Sequence, residues 1–132
     1  EILGRSSVPL VQLAAEVALS HHERWDGSGY PAGLAGEAIP LSGRIVAVVD
    51  FFDALAMDRC YRRALPVEQV LEMLRAERGR AFDPKVVDAF VADAPRLIAL
   101  RDTVDRRGVS FADLADGFDA GAPAAHPAAP AT

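Results

Sequence analysis

The stretch from Trp25 to Gly43 most constrains how this chain can fold. It contains five glycines and two prolines, a density that excludes a regular helix or strand of that length. Loops of nearly twenty residues are uncommon inside a compact domain and are usually functional or disordered. Because this stretch also carries apolar side chains at Tyr30, Leu34 and Ile39, we expect an ordered loop with packing of its own.

The segments on both sides of this loop have helical patterns. Residues 6–23 are predicted to form a helix with Ser6 or Ser7 as the cap and Pro9 in the first turn. Their apolar spacing predicts a buried face made of Leu10, Leu13, Ala14, Val17 and Ala18. Residues 41–58 begin like a buried strand, but their apolar segment is too long for one. We therefore expect a helix there, interrupted by Arg44 and Asp50.

The rest of the chain also favours helices. Residues 66–79 begin with Pro66, end at Gly79 and carry an apolar stripe at Val67, Val70, Leu71 and Leu74. A helix is predicted from about Pro84 to Ala92, and a separate short one around residues 96–101. No segment clearly predicts a strand, so the fold class is all-α.

Composition limits the function classes. The 132 residues suffice for one small domain, and 51% hydrophobic with 25% charged residues is typical of soluble globular proteins. A net charge of −5 argues against a general nucleic-acid binder. No apolar run approaches the roughly 20 residues of a membrane span, and no signal-peptide pattern opens the chain. One cysteine, Cys60, fits a reducing cytoplasm.

The first group of residues with chemical potential is His21-His22-Glu23, followed by Asp26. Adjacent helical side chains point about 100° apart, so the two histidines cannot chelate one ion from the same direction. They can hold a broader site, such as two neighbouring metal ions. The alternative is a helix end at which cationic histidines complement the helix dipole.

The second group is Asp50 and Asp53, which lie three positions apart within the apolar segment. On a helix they share a face to within about 60°. We expect a carboxylate among apolar neighbours to need a partner. That partner is a metal ion, an arginine such as Arg44 or Arg59, or a proton. Carboxylate and imidazole together suit Fe, Mn or Zn.

The third group is basic: Arg59, Arg62 and Arg63, with Tyr61 between them. The planar guanidinium group matches phosphate oxygens, and an aromatic neighbour can stack on a base. A solvated surface patch explains the same residues equally well.

These groups fall within a longer pattern. The string HHERWDGSGYP, from His21 to Pro31, resembles the second signature of the HD-GYP family of bacterial phosphodiesterases. The similarity continues through the segment around Asp50 and Asp53 to Phe82-Asp83-Pro84 and covers about residues 1–92.

The resemblance implies an HD-superfamily helical domain that hydrolyses cyclic di-GMP to the linear dinucleotide and often to GMP. It implies two or three divalent metal ions, usually Fe or Mn. By position it assigns His21, His22 and Asp50 to the metals, and Asp53 and Arg59 to catalysis. Tyr30, Arg59 and Arg62 match ligand-binding positions. The resemblance also implies that Gly29, Tyr30 and Pro31 form a loop near the ligand that contacts diguanylate cyclases.

Each of the two acidic residues that follow the histidine pair has two interpretations. Glu23 and Asp26 either orient the histidines or serve a cap or turn.

The His-Asp pair of the HD superfamily is absent, and the third histidine is His126. The family layout places that pair before Glu1, so we expect an incomplete domain without its N-terminal helices. The expected organisation is a partial HD-GYP domain over 1–101, a C-terminal extension over 102–116 and a disordered Ala/Pro-rich tail over 117–132. A response-regulator parent would fit this layout.

Three ligands cannot fill a two-metal centre, so this chain alone is predicted to be inactive. The helices predicted over 6–23 and 41–58 are also expected to leave apolar surface exposed. One alternative is a non-catalytic module that binds cyclic di-GMP or a diguanylate cyclase partner through the GYP loop. Another is an HD phosphohydrolase that acts on a different nucleotide.

Overall fold

The computed structural model describes residues 7–58 and 62–107, and the regular elements in these ranges are helices, as predicted. The helices are α1 (Pro9–Ser20), α2 (Leu41–Ala56), α3 (Val67–Ala76) and α4 (Pro84–Arg107), with a short 3₁₀ turn at Gly36–Ala38. An isolated β-bridge joins Arg78 to Phe82. The chain divides into two compact units, Glu1–Asp93 and Ala94–Thr132. The predicted tail over 117–132 lies outside the described residues.

Helix α1 is shorter than predicted at both ends. It begins at Pro9 after Val8, and no side chain caps it, so the cap predicted at Ser7 is wrong; Ser6 lies outside the described residues. Pro9 occupies the first turn as predicted, where its missing N–H costs nothing. At the other end His21 is the C-cap, so the two histidines occupy the turn that follows the helix.

The buried face predicted for α1 is exposed. Leu10 and Leu13 are 57% and 48% exposed, whereas the buried residues of α1 are Ala15 and Ser20. Helix α1 approaches α2 through this other side. A Cβ on Gly43 would lie 2.8 Å from the Ser20 Cβ, so glycine is needed where the two helices meet. The spacing identified an apolar face correctly, but the described part of the chain does not cover it.

Helix α2 confirms the choice of helix over strand for this segment. Its buried residues are Gly43, Val48 and Phe52. Asp50 lies two positions from both Val48 and Phe52, which is about 200° around the helix axis. It therefore points away from the core and is exposed. The expectation that Asp50 lies among apolar neighbours is wrong, because the residues next to it in the sequence lie on other faces of the helix.

The core of the first unit lies between α2, α3 and the first turns of α4. The predicted stripe of α3 is confirmed at Val70, Leu71 and Leu74, which are buried, while Val67 is half-buried. Among the described residues, the largest fully buried side chains are Val48, Val70, Leu74 and Val87. Aromatic pairs join the elements, with ring centroids 5.1 Å apart in Phe52–Phe90 and in Phe51–Phe82.

Helix α4 corrects the predicted break after Ala92. It is one helix of 24 residues with Pro95 inside it. An internal proline removes one helical hydrogen bond and crowds the preceding turn. The alanines, leucines and arginines around Pro95 are strong helix formers, and the helix continues. The division between the two compact units falls just before this proline.

Candidate metal and ligand site

The Gly-rich loop after α1 is ordered, as predicted, and Glu23 is one cause. This side chain is buried, and its carboxylate accepts hydrogen bonds from the backbone N–H groups of Ala32 (2.7 Å) and Leu34 (3.0 Å). A buried carboxylate with two such donors is well compensated. These bonds go to the loop and not to the histidine rings, so Glu23 holds the loop in place rather than orienting the histidines.

Gly29 lets the same loop fold back onto the chain that follows α1. A Cβ at this position would lie 2.6 Å from the Glu23 Cα and from the His22 carbonyl oxygen. Beside it, the Tyr30 N–H donates to the His22 carbonyl at 3.3 Å. The Gly29-Tyr30-Pro31 segment is therefore placed directly against the backbone of the histidine pair.

A second set of bonds fixes the beginning of the loop to the turn before α4. The N–H groups of Trp25 and Asp26 donate to the carbonyls of Ala81 (3.0 Å) and Arg80 (2.9 Å). Further along the same turn, the Asp83 carboxylate accepts from the Lys85 N–H at 2.8 Å.

Asp83 also pairs with Arg44, at 2.7 Å, and its side chain is only 1% exposed. The carboxylate that Arg44 neutralises is therefore Asp83, 39 positions away, and not Asp50 or Asp53. This corrects one of the partners considered for Asp50.

Asp26 has a turn role. Its carboxylate accepts from the Ser28 hydroxyl (2.6 Å) and the Ser28 N–H (3.0 Å), and it lies 3.5 Å from the Arg24 guanidinium. The Ser28 hydroxyl is the main reason why the pKa of Asp26 falls from 3.8 to about 2. The turn interpretation of Asp26 is thus the correct one.

The His21 ring has a defined free nitrogen. Its Nδ1 lies 2.7 Å from the Val17 carbonyl oxygen. Because a carbonyl only accepts hydrogen bonds, Nδ1 carries a proton, and in the neutral ring Nε2 then has the lone pair. This arrangement fixes the ring and leaves Nε2 available to a metal ion, as is usual for metal-ligating histidines.

Three rings lie against one another in the order His21, His22 and Tyr30. The two histidine centroids are 3.9 Å apart with planes at 41°, and Tyr30 stacks on His22 at 5.0 Å and 21°. Tyr30 itself is 62% exposed, so the loop holds a large aromatic ring at the surface beside the histidines.

The three predicted metal ligands come together in one cavity. His21, His22 and Asp50 line the same space of about 360 Å³, together with Arg24 and Phe51 among others. Within the described residues the Asp50 carboxylate has no hydrogen bond or ion pair. Two imidazoles and one unpaired carboxylate are a donor set that suits Fe or Mn.

This donor set fits a metal centre in chemistry but does not complete one. Over residues 7–58 and 62–107, no group of three His, Cys, Asp or Glu side chains is arranged to hold a metal ion. The three side chains share a cavity without converging on one point.

The other predicted site residues lie elsewhere. Asp53 is half-buried and is not among the residues that line the cavity. The Arg62 guanidinium donates to the Ala54 carbonyl near the end of α2, and Arg63 is exposed. Arg59, Cys60 and Tyr61 lie outside the described residues.

One cavity residue was missed by sequence reasoning. Arg24 lines the cavity and lies 3.4 Å from Glu77 and 3.5 Å from Asp26. Its pairing with Glu77 spans 53 positions, so no local pattern could have predicted it. The available signal was its place directly after the histidine pair.

Comparison with known proteins identifies the family. A sequence model described as HD domain matches residues 4–86, a span that holds α1, α2, α3 and the predicted metal ligands. The chain belongs to the HD domain family. This membership and the helices confirm the expected HD-type, all-α fold. A solved HD-family neighbour agrees: the cyclic GMP-AMP specific phosphodiesterase of Vibrio cholerae superposes with a TM-score of 0.50 at 30% identity, covering 67% of this chain and 22% of that one.

Curated relatives are closer in sequence. The chain is 53% identical over 97 residues to the cyclic di-GMP phosphodiesterase response regulator RpfG of Xanthomonas campestris pv. campestris, which covers 74% of this chain. It is 50% identical over 101 residues, or 76% of its length, to the 3'3'-cGAMP-specific phosphodiesterase 2 of Vibrio cholerae. The matched region is 26% of the first relative and 19% of the second, so the HD domain chain spans about a quarter of one and about a fifth of the other. In the described residues, no helix is long and apolar enough to span a membrane.

Proposed function

We propose that this HD domain chain is part of a metal-dependent phosphodiesterase that hydrolyses cyclic di-GMP to the linear dinucleotide, to GMP or to both. The observation that carries the proposal is the cavity lined by His21, His22 and Asp50. The names of the relatives support the reaction class.

In this proposal His21, His22 and Asp50 are metal ligands. His21 offers Nε2, because its Nδ1 is held by Val17, and Asp50 offers a carboxylate that is exposed and unpaired within the described residues. Two divalent ions bound here would supply activation of the attacking water and neutralisation of the phosphate. The remaining ligands would come from residues outside the described ranges, and we expect the chain by itself to be inactive.

The polar groups next to α2 are proposed to handle the phosphates. Arg59 and Arg62 match the arginines expected to neutralise and position them, and Asp53 matches another polar position of the ligand pocket. Arg62 donates one hydrogen bond to the Ala54 carbonyl, and because a guanidinium has five N–H donors this bond still allows contact with a phosphate. Tyr30, exposed on its loop, is proposed to contact the ligand.

A second candidate substrate is 3'3'-cGAMP. The relative that is 50% identical over 76% of the chain is named for this nucleotide. Both cyclic dinucleotides contain the same phosphodiester ring and at least one guanine, so the metal ligands alone do not distinguish them.

The experiment is hydrolysis by the whole natural protein loaded with Mn²⁺ or Fe²⁺. Cyclic di-GMP, 3'3'-cGAMP and cyclic di-AMP are supplied separately, and linear dinucleotide and GMP or AMP are resolved by chromatography. Asp50→Ala is expected to abolish both metal loading and hydrolysis. Asp88→Ala is the matched control, because this exposed carboxylate pairs with Arg78 on the surface.

Each result has a definite meaning. Metal content unchanged in Asp50→Ala would contradict its role as a ligand. A protein that binds metal and cyclic di-GMP but releases no product would instead be a binding module. In that case a diguanylate cyclase domain would be tested as the partner of Gly29-Tyr30-Pro31.

A further inference from the structure

A second cavity, here called the base cavity, adjoins the one lined by the predicted metal ligands. It has a volume of about 410 Å³. The two cavities share Arg24, Phe51, Ala81 and Phe82, so they are neighbouring parts of one depression. A group bound in the first cavity is therefore within reach of the second.

The walls of the base cavity combine apolar surface with one ion pair. Phe51, Phe82 and Met73 supply the apolar part, and the Arg24 guanidinium lies 3.4 Å from the Glu77 carboxylate. A concave, mostly apolar space with few polar groups is typical of a small-molecule site. Aromatic and apolar walls with a hydrogen-bonding edge are typical of nucleobase pockets.

We propose that the base cavity binds a guanine base of the substrate and that Glu77 selects guanine over adenine. The proposal rests on the proposed function. In a cyclic dinucleotide each phosphate is linked through a ribose to a base. A phosphate beside His21, His22 and Asp50 thus places a base in an adjoining space, and the base cavity is such a space.

The chemistry of Glu77 gives the selectivity. An ionised carboxylate only accepts hydrogen bonds. Guanine presents two donors side by side, N1–H and the N2 amino group, whereas adenine presents an acceptor at N1. Glu77 is half-buried, and its bond to Arg24 is long at 3.4 Å. It keeps acceptor capacity for guanine while Arg24 orients it.

The test measures hydrolysis of cyclic di-GMP and cyclic di-AMP by the Mn²⁺-loaded natural protein and its Glu77→Gln variant. A hydrogen bond to a charged group is worth enough that we expect KM for cyclic di-GMP to rise about 10- to 100-fold. We expect kcat to change much less, and the preference for cyclic di-GMP over cyclic di-AMP to fall by the same factor as KM rises. The matched control is Glu72→Gln, an exposed carboxylate on α3 that pairs with Arg75 and should change neither substrate.

Equal loss for both nucleotides in Glu77→Gln would overturn the proposal. If the unaltered protein hydrolyses no cyclic dinucleotide, the proposed function fails, and calorimetric titration with GMP and AMP still decides the base cavity. Tighter binding of GMP than AMP that disappears in Glu77→Gln supports it, and equal or absent binding overturns it.

The Met73→Trp variant provides a second test of the base cavity in case Glu77→Gln does not fold. Met73 is partly exposed at the cavity wall, so a larger ring can fill the space without entering the core. This variant should lose GMP binding and keep its helical circular dichroism. Unchanged GMP binding would overturn the proposal.

Discussion

The first unit has two sides that differ in their packing within the described residues. One side has buried polar groups with hydrogen-bond partners, and the other has exposed apolar side chains. On the loop side, Glu23, Arg44 and Asp83 are buried or nearly so, and each has partners at normal hydrogen-bond distances. On the side of α1 and α2, the side chains of Leu10, Leu13, Leu19, Ile45 and Val49 are exposed.

The difference shows what each side requires. The loop side is held by bonds among residues 23–85 and is complete within the described chain. The α1–α2 side presents an apolar face of the kind that marks an interaction surface. Asp50 is also exposed on α2. Of the proposed metal ligands, His21 and His22 therefore lie next to the hydrogen-bonded loop, whereas Asp50 lies on α2.

The largest expected effect is on the loop side, from Asp83→Ala. This change leaves the Arg44 guanidinium without its carboxylate partner, although only 14% of the Arg44 side chain is exposed. It also removes the carboxylate that accepts a hydrogen bond from the Lys85 N–H. Breaking a buried ion pair from one side costs about 3–5 kcal/mol in the free energy of unfolding, measurable by urea denaturation. Asp88→Ala, at the exposed pair with Arg78, should lower the free energy of unfolding far less, because solvent screens an ion pair at the surface. Similar losses of unfolding free energy in the two variants would mean that the Arg44–Asp83 pair does not stabilise the loop side.

Gly29→Ala should have the next largest effect. The added Cβ would meet the backbone of His22 and Glu23, and backbone atoms cannot move aside as a flexible side chain does. Forcing an extra methyl group into a packed site costs about 1–3 kcal/mol. Gly36→Ala is the control for space, since a Cβ there meets nothing within 4 Å, although its positive φ of 57° adds some strain. If Gly29→Ala lowered the melting temperature less than Gly36→Ala, the close approach of Gly29 to the backbone of His22 and Glu23 would be contradicted.

Tyr30→Leu should weaken metal binding without unfolding the chain. The Tyr30 ring stacks on His22, and an aromatic pair adds about 1 kcal/mol beyond buried area. We expect Mn²⁺ to bind the Tyr30→Leu variant of the natural protein about 5-fold more weakly than the unaltered protein, as followed by calorimetric titration. Tyr30→Phe keeps the ring and should keep the affinity. If the phenylalanine variant lost as much as the leucine variant, the hydroxyl group and not the stack would matter.

The open side predicts a near-zero effect. Leu13→Gln replaces an apolar group that is 48% exposed, and such surface changes stay within about 0.5 kcal/mol. Leu74→Ala, in the core, is the contrast and should cost about 2–5 kcal/mol. A loss above 2 kcal/mol for Leu13→Gln would show that this face of α1 is covered in solution and would remove the difference between the two sides.

Periodicity predicted the helices well but not their surroundings. The stripe of α3 is buried because α3 has α2 to pack against. An equally regular stripe on α1 is exposed, since spacing shows which residues share a face and not what covers that face. The same limit explains Asp50, whose apolar neighbours in sequence are not its neighbours around the helix.

The candidate site was predictable to the extent that it is local. The histidine pair and Asp50 follow from a recognisable string, and the structure places them in one cavity. Contacts such as Arg44–Asp83 and Arg24–Glu77 join residues 39 and 53 positions apart. They depend on how the loop packs against the turn before α4, which no short motif records.

The last prediction concerns the pH dependence that comes from the charge of Asp26 on the loop. Hydrogen bonds from Ser28 lower its pKa from 3.8 to about 2, so the folded state favours the ionised form. The stabilisation that results is present above about pH 4 and is lost as the pH falls through about 2. Asp26→Asn should therefore be less stable than the unaltered chain at neutral pH, and the difference should vanish near pH 2. Ser28→Ala removes the main donor and should return the Asp26 pKa toward 3.8 in a carboxyl carbon NMR titration. An unaltered chain whose Asp26 already titrates near 3.8 would show that the loop turn is not held by this carboxylate.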